Sequence, residues 1–556
     1  MASFDSKIER NDVEAEISHS WGNKRAGWIT FPVIAGAMVF MGVGGTGWMV
    51  NLIVFLIEKF NVNRIDAAQI FNVVNGCIGL LPVLAAIIAD SFVGCFWVTS
   101  ISSFIALMGT LLLSLTTTLA PLRPDPCVNK SSSCATPSNL QFGVLYAGIA
   151  LATLGASGMR LTAVTLGADQ FETQQDESTF FNWIFCVEFG ALIIGSTVVV
   201  YIEDSVSWGI GFWLCVAANV IGLAIFLLGS RFYRRSKPRR SPFLSLARVF
   251  VASIWKRKIT VTSNSDDYYY GTRQKQFFNR AALKTEGDVK ADGSIEKKWR
   301  LCTVGEVEDL KTLVSALPLW STSIFLATPM AAQSSMTILQ ALATDRHLGS
   351  HFEIPPGSVL VLTTVAAALS LAIIEHFLCP MWQKLIGSAP SLLQRIGVGH
   401  VLNVLGMVIS ALVESHRLQS AHSNNRSMPA PMSVLWLFPQ LVVVGVGEAF
   451  HLPTQVTFYY QMFPRKFSNS ATIMVTAVAG IACYLSVGLV DLARRHTGWL
   501  PENLNDGRLA LVYWTLAGVG AVNFGYYCTI ARFYREGDGT DSEKSAKANV
   551  ACNEQE

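Results

Sequence analysis

The sequence is poor in charged residues, and long stretches of it carry none. Charged residues make up 15% of the 556 residues, whereas a soluble domain has about 25%. No Asp, Glu, Lys or Arg lies between Arg25 and Glu58, Asp90 and Arg123, Lys130 and Arg160, Asp204 and Arg231, Lys311 and Asp345, Arg426 and Glu448, Lys466 and Asp491, or Arg508 and Arg532. A membrane-spanning helix needs about 20 mostly apolar residues, and so many stretches of that length cannot share one soluble core. The sequence therefore predicts an all-α membrane protein.

Motifs that would indicate other classes of protein are absent. Residues Met1–Lys24 have no short apolar core followed by small residues, so we expect no cleaved signal peptide and a first span that directs its own insertion. The sequence has no Walker motif, no nucleophile elbow and no His and Cys at metal-ligand spacing. This argues against ATP-driven transport, an enzyme, a bound metal and a cofactor. The net charge of +3 is small and the basic residues lie in loops, so we expect no nucleic-acid partner.

What the sequence does contain is a series of apolar segments. We predict twelve spans, at residues 28–57, 66–89, 95–119, 140–165, 179–202, 206–229, 310–340, 356–379, 392–415, 431–460, 468–491 and 508–532. They form two six-helix halves, 28–229 and 310–534, which are joined by a loop at 230–309 and flanked by tails at 1–27 and 535–556.

The loop between spans six and seven is strongly basic. Between Arg231 and Arg300 it has eighteen Lys and Arg against six acidic residues. Because cytoplasmic loops carry an excess of Lys and Arg, we expect this loop in the cytoplasm, and twelve spans then place both termini there as well. A partly apolar stretch, Phe243–Trp255, precedes Lys256-Arg257-Lys258. It fits either a helix on the inner leaflet or a plain surface helix between the halves.

Two loops that this orientation places on the opposite side carry candidate modification sites. Asn129 and Asn425 begin glycosylation sequons, one in each loop, which agrees with that orientation. Cys127 and Cys134 share the first of these loops and could form a disulfide if it faces an oxidising compartment. Two free thiols are the alternative.

Short motifs are spread over both halves. They are Gly47-x-x-x-Asn51-Leu52, Ala89-Asp90-Ser91-Phe92-x-Gly94, Leu122-Arg123-Pro124, Gly155-x-x-Gly158-x-Arg160, Gly167-Ala168-Asp169-Gln170-Phe171, Phe180-Phe181-Asn182-Trp183, Leu317-Pro318-Leu319-Trp320, Gln394-Arg395-Ile396-Gly397, and Glu448 with Gln455 and Phe458-Tyr459. Together they resemble the plant nitrate and peptide transporter family, a branch of the proton-dependent oligopeptide transporters. The resemblance implies a secondary transporter with a major facilitator fold, in which two six-helix halves rock about a central site near the midplane.

The sequence departs from this family where proton coupling is expected. Members that couple to protons carry a Glu-x-x-Glu-Arg/Lys motif in span one, and the matching positions here are Met38, Met41 and Gly42. The nitrate excretion branch of the family resembles this sequence in the same loss. The segment Ala327-Thr328-Pro329-Met330 also resembles that branch, which implies that Met330 lies at the substrate site.

A second departure follows span two. The family carries Arg or Lys after Asp90-x-x-x-Gly94, and this sequence has Cys95. The substitution weakens the charge lock expected on the cytoplasmic side. Asp90 and Gly94 remain candidate gating residues, with loop capping as the alternative for Asp90.

Ionisable residues inside the spans are the candidate binding residues. Each costs at least about 2.5–3.5 kcal/mol at membrane depth on insertion scales, so it needs a partner or a function. The resemblance implies that Arg160 and Glu448 face each other across the central cavity, and the guanidinium fork suits planar oxyanions. A purely structural ion pair is the alternative. Glu188 either faces the cavity or pairs with a neighbouring helix. His451 shares a helix face with Glu448, where a titrating role and a simple hydrogen bond are both open.

The missing charges in span one favour one direction of transport. Importing an anion into a negative interior must overcome about 2.3 kcal/mol per charge at 100 mV, so import needs coupled protons and export does not. The sequence thus favours a passive or outward carrier of nitrate or chloride in the plasma membrane, acting as a monomer or loose dimer in the lipid bilayer. Two alternatives stay open: a proton-coupled importer of an organic solute such as a peptide, glucoside or hormone, and a transport-dead sensor or scaffold.

Overall fold

Twelve long apolar helices dominate the computed structural model, which describes residues 27–125, 136–235, 242–258, 276–285, 288, 299–423, 429–463 and 468–553. The helices that are long and apolar enough to cross a membrane are Phe31–Val50, Arg64–Val93, Cys95–Thr118, Asn139–Ala168, Gln175–Val206, Trp208–Arg231, Val304–Leu342, Gly357–Ile386, Leu392–Ser423, Val434–Met462, Ile473–Thr497 and Leu509–Tyr534. They confirm the twelve predicted spans and the all-α membrane fold in two six-helix halves. Short π-helical turns interrupt spans two, five and eight at Ala89–Val93, Gly195–Val199, Ile202–Val206 and Ile374–Leu378.

Capping boxes begin two of the spans. The Ser138 hydroxyl accepts a hydrogen bond from the Gln141 amide, and the Gln141 side chain accepts one from the Ser138 amide. Thr303 and Glu306 form the same reciprocal pair at the start of span seven. Such a box satisfies amide groups that the first turn of a helix leaves without partners. Span seven therefore begins at Val304, earlier than the predicted residue 310.

Span one is broken near its end and packs closely against span six. Its helix Phe31–Val50 stops at Asn51, and a second helix, Leu52–Phe60, continues the chain. A Cβ atom on Gly44 would lie 2.8 Å from the carbonyl oxygen of Cys215 in span six. Only glycine permits this approach, so the run of small residues in span one serves close helix packing.

The helix bundle has two ends, the loop face and the far face. The loop face is the end where span six stops at Arg231 and span seven begins at Val304. The opposite end, the far face, carries four short strands. Thr344–Asp345 pairs in parallel with Ala430–Ser433, and His347–Leu348 pairs antiparallel with Phe352–Glu353.

A helix, Pro242–Trp255, lies in the connection between the halves and is called the loop helix. It forms where the sequence predicted an apolar helix over 243–255. The short helix Gln276–Asn279 and the turn Arg280–Ala282 pack beside it. Its buried residues join an apolar cluster with the loop-face ends of spans seven, ten and twelve. The last helix continues past its span to Asn553.

Candidate functional site

A central cavity of about 390 Å³ lies between the two halves. Both halves line it, and among the lining residues only Arg160 of span four and Glu188 of span five carry charge. The span-one wall includes Met38, Met41 and Gly42, the three positions that the family resemblance matches to the proton-coupling motif. The structure thus places these three positions at the cavity wall, and none of them carries charge.

Arg160 and Glu188 come together across this cavity. The side chain of Arg160 is exposed to the cavity and that of Glu188 is half-buried. The positive charge of Arg160 acts on the Glu188 carboxyl group, but no salt bridge joins these two described residues. The guanidinium therefore keeps its hydrogen-bond donors available to a solute. Of the two possibilities that the sequence left for Glu188, the cavity position is the one observed.

Glu448 is not among the residues that line the cavity, and it forms no salt bridge with Arg160 in this conformation. His451, three residues further along span ten, lies with its ring centroid 5.6 Å from that of His400 in span nine. The pairing of Glu448 with Arg160 across the cavity stays a prediction.

His451 belongs to a buried polar cluster that the sequence did not reveal. Its Nε2 lies 3.4 Å from the Ser323 hydroxyl, which also accepts a hydrogen bond of 2.6 Å from Gln455. His400 stacks on Tyr527 at 4.5 Å between ring centroids. In the part of the chain that the structure describes, neither ring nitrogen of His400 has a hydrogen-bond partner. His451 and Gln455 were among the residues that the sequence motifs pointed to, whereas the only signal for His400 was an ionisable residue inside the ninth apolar segment.

Met330 does not line the cavity. It packs against the large apolar cluster that includes Met336 and Trp48, while its neighbours on span seven, Ala331 and Ser334, reach the cavity wall. Contact between Met330 and a substrate therefore stays a prediction, which this conformation does not show.

The two gating candidates lie at the loop-face end of span two. Asp90 sits in the π-helical turn Ala89–Val93. Gly94 follows with φ +84°, a backbone conformation that glycine adopts without strain, and it begins span three. The positive φ of this turn is enough to explain why residue 94 is a glycine. The gating role of Asp90 and Gly94 stays a prediction. Cys127, Cys134, Asn129 and Asn425 lie outside the described residues, so their disulfide and glycosylation stay predictions too.

Contacts between the halves close the cavity toward the far face. The guanidinium of Arg346, which follows span seven, lies 3.4 Å from the carboxylate of Asp204 at the end of span five. The same guanidinium lies 2.6 Å from Glu353 in its own half. Ser358 donates a hydrogen bond of 2.7 Å to the carbonyl oxygen of Ser196. Further pairs across the halves are Asp66 with Arg494, Tyr201 with Phe352, Asn72 with Ser335 and Cys77 with Tyr484.

Comparison with known proteins agrees with this architecture. The family model described as PTR2, POT family, matches residues 96–504. The Arabidopsis thaliana Protein NRT1/ PTR FAMILY 2.7 is 46% identical over 97% of this chain and 99% of its own length. Protein NRT1/ PTR FAMILY 2.3 of the same plant is 45% identical over 96% and 98%.

Solved structures with the same fold are far more distant in sequence. The in meso crystal structure of the POT family transporter PepTSo has a TM-score of 0.69 at 15% identity, and covers 91% of this chain and 98% of its own. An auto inhibited POT family peptide transporter gives 0.68 at 14%, covering 90% and 96%. At these identities the structures support the fold, while the sequence relatives establish the family. The chain therefore belongs to the POT family of membrane transporters, and it is a transporter rather than an enzyme.

Proposed function

We propose that this chain carries a small inorganic anion, nitrate or chloride, across the plasma membrane by alternating access, and that it acts as a passive or outward carrier. The observation that supports this most directly is Arg160, the only cation among the residues that line the central cavity. A guanidinium in an apolar surrounding binds a planar oxyanion through parallel hydrogen bonds. Nitrate offers that geometry, and chloride satisfies the charge alone.

The span-one wall supports the absence of proton coupling at the family's usual position. Met38, Met41 and Gly42 face the cavity and have no titratable group. Without a coupled proton the anion moves down its electrochemical gradient, and a potential of 100 mV, negative inside, favours exit by about 2.3 kcal/mol per charge. The basic loop supports an orientation with the loop face and both termini in the cytoplasm. The far-face contacts would then shut the outer side of the cavity in this conformation.

Flux measurements on the purified protein in liposomes test the proposal. Nitrate efflux should follow an imposed potassium diffusion potential without a pH gradient. Arg160→Ala should lower it roughly 10- to 100-fold, because a hydrogen bond to a charged group contributes about 1.5–3 kcal/mol. Arg160→Lys should retain part of the flux. Arg235→Ala is the matched control, since Arg235 is exposed at the loop-face end of span six, away from the cavity. Flux that ignores the potential and vanishes without a proton gradient would contradict the proposal.

A second candidate, proton-coupled import of an organic solute, is supported by two observations. Glu188 lines the cavity beside Arg160, so a solute with both an acidic and a basic group would find a partner for each. The volume of about 390 Å³ also lies within the range of about 300–1,000 Å³ that is usual for small-molecule pockets. Glu188→Gln should abolish proton-driven uptake of such a solute, whereas potential-driven nitrate efflux should survive it. A sensor or scaffold without transport would give no flux in any of these assays.

A further inference from the structure

A buried carboxyl group without a cationic partner lies near the far-face end of span five. Glu203 belongs to the π-helical turn Ile202–Val206, and it is 0% exposed. The side-chain amide of Asn51 donates a hydrogen bond of 3.1 Å to one of its carboxyl oxygens. In the part of the chain that the structure describes, the other carboxyl oxygen has no hydrogen-bond partner, and neither has the side-chain oxygen of Asn51. Two side chains in contact with each other thus each keep one buried oxygen without a donor.

The position of Glu203 is a junction between helices of both halves. Asn51 is the residue at which the helix of span one breaks. Span six approaches at Gly211, where a Cβ atom would lie 2.2 Å from Cγ of Glu203. The opposite half covers the same place, since a Cβ atom on Gly357 at the start of span eight would lie 3.2 Å from the side-chain oxygen of Asn51. These glycines let the backbone pack directly on Glu203 and Asn51, and so close the carboxyl group off from water.

The charged groups around this junction do not neutralise Glu203. The titratable or charged side chains that face it are Asp204 on the same turn and Cys215 of span six, and those further out at the far face are Glu58, Lys59, Arg346 and Glu353. Arg346 contacts Asp204 and Glu353. The ammonium group of Lys59 lies 6.0 Å from the centre of the Trp208 ring. Among the residues that the structure describes, no cation forms an ion pair with Glu203.

An ionised carboxylate is unfavourable in such surroundings. Burial of a charge without a cation costs far more than burial of the neutral group, so the group neutralises instead. A bound metal ion would need several ligands, and the described part of the chain contains no group of three or more His, Cys, Asp or Glu side chains that could hold one. A proton needs no further room. On the Glu203 carboxyl group it also supplies a donor to a place where two oxygens lack one.

We propose that Glu203 is a proton-binding site, which holds a proton while the two halves are closed at the far face and releases it to that side when they separate. In this conformation the opposite half seals the site, because Gly357 covers Asn51 and the adjacent Ser358 donates to the carbonyl oxygen of Ser196. Separation of the halves removes both contacts and admits water. A glutamate in water has a pKa of about 4.3 and is ionised at neutral pH, so the opened site loses its proton.

Binding and release on the same side make this site a switch and not a coupling device. The proton enters and leaves through the far face, so none crosses the membrane with a solute, which agrees with an uncoupled carrier. Because closure takes up a proton, a lower pH favours the closed state and a higher pH favours the open state. The neighbouring contact between Asp204 and Arg346 would give the opposite sign, since it needs an ionised carboxylate in the closed state. The direction of the pH effect therefore distinguishes the two groups.

Infrared difference spectroscopy on the full-length protein detects the proton itself. A protonated carboxyl group has a C=O stretch that is separate from the bands of carboxylates. At neutral pH, Glu203→Gln should remove such a band, and the band should shift in heavy water. Glu353→Gln removes a partly exposed carboxylate at the same face and is the matched control, which should remove none. Loss of carboxylate bands alone in Glu203→Gln would mean that Glu203 is ionised and would overturn the proposal.

A distance measurement tests the switch. Leu119 and Leu435 are exposed at the far face on opposite halves, and spin labels there report its opening in nanodiscs. In the wild type the open population should rise with pH by up to about tenfold per pH unit, because closure takes up one proton. Glu203→Gln mimics the protonated group and should stay closed at every pH, whereas Glu353→Gln should respond like the wild type. A population that is constant or falls as the pH rises overturns the proposal, and so does a response that Glu203→Gln retains.

A second variant covers the case in which the amide destabilises the fold. Glu203→Met removes the same carboxyl group without a new polar atom, and both measurements can be repeated on it with the same expected results. Neither measurement uses an anion. Failure here therefore leaves the proposed anion carriage untouched, and failure of the flux assays leaves this site untouched.

Discussion

Replacing Asp204 by Asn should release the far face of the transporter. Arg346 contacts two carboxylates, and only Asp204 belongs to the opposite half. The side chains of Arg346 and Asp204 are 18% and 12% exposed, so the pair lies between exposed and fully buried ion pairs. Exposed ion pairs contribute about 0–1 kcal/mol, and loss of one partner of a buried pair costs about 3–5 kcal/mol. At 3.4 Å the contact is long, so we expect about 1–2 kcal/mol.

That energy has a measurable effect on the conformational equilibrium. A change of about 1–2 kcal/mol shifts a ratio of two states by about 5- to 30-fold. If the state open to the far face makes up about 1% of the molecules, within the usual range for a minor state, Asp204→Asn raises it to about 5–25%. Glu353→Gln is the matched control. It also removes a carboxylate from Arg346, but from within the same half, so it should leave the equilibrium nearly unchanged.

The assay is a distance measurement between two spin labels across the far face. Leu119, at the end of span three, and Leu435, at the start of span ten, are exposed and belong to opposite halves. Double electron–electron resonance in nanodiscs should show a longer-distance population in Asp204→Asn. An unchanged distribution, or an equal change in Glu353→Gln, would refute the reasoning that this contact holds the halves together.

Buried polar groups give three more expectations. Arg417 and Glu414 are fully buried and share hydrogen bonds of 2.8 and 2.7 Å. Arg417→Met should therefore destabilise the protein by about 3–5 kcal/mol, seen as a lower melting temperature in detergent that Glu414→Leu in the same chain largely restores. His400→Phe removes two ring nitrogens that lack partners, so the melting temperature should stay or rise; a marked fall would contradict this. Burial alone would raise the pKa of Asp288, but hydrogen bonds and nearby cations lower it. The Asp288 carboxylate should therefore stop stabilising the docked loop only below about pH 4. A spin label at Ile254 should become more mobile at that pH, and Asp288→Asn should abolish this pH-dependent change in mobility.

The spans and the loop helix could be predicted because each depends on local composition. Uncharged stretches of about 20 residues have one favourable environment, and the apolar stretch 243–255 became the helix Pro242–Trp255. Span boundaries were less predictable. Capping by Thr303 and Glu306 starts span seven earlier than its apolar run, since a capping box acts through hydrogen bonds rather than hydropathy.

The partner of Arg160 shows where prediction from the sequence ends. The resemblance pointed to Glu448, and the structure brings Glu188 into the cavity instead. Met330 likewise is not among the residues that line the cavity, although Ala331 and Ser334 of the same span are. The spans are apolar on most sides, so their composition does not show which side meets the cavity.

The sequence by itself determined that this is a membrane protein of twelve spans, that its connecting loop is basic, and that span one lacks titratable groups. These are properties of single segments, set by the cost of placing charge in lipid. Only the tertiary structure decided that Arg160 and Glu188 line the same cavity, and that the contact between Arg346 and Asp204 joins the two halves. It also decided which side of the loop helix stays exposed. Each depends on residues far apart in the chain, and their positions follow from how the helices pack and rotate against one another.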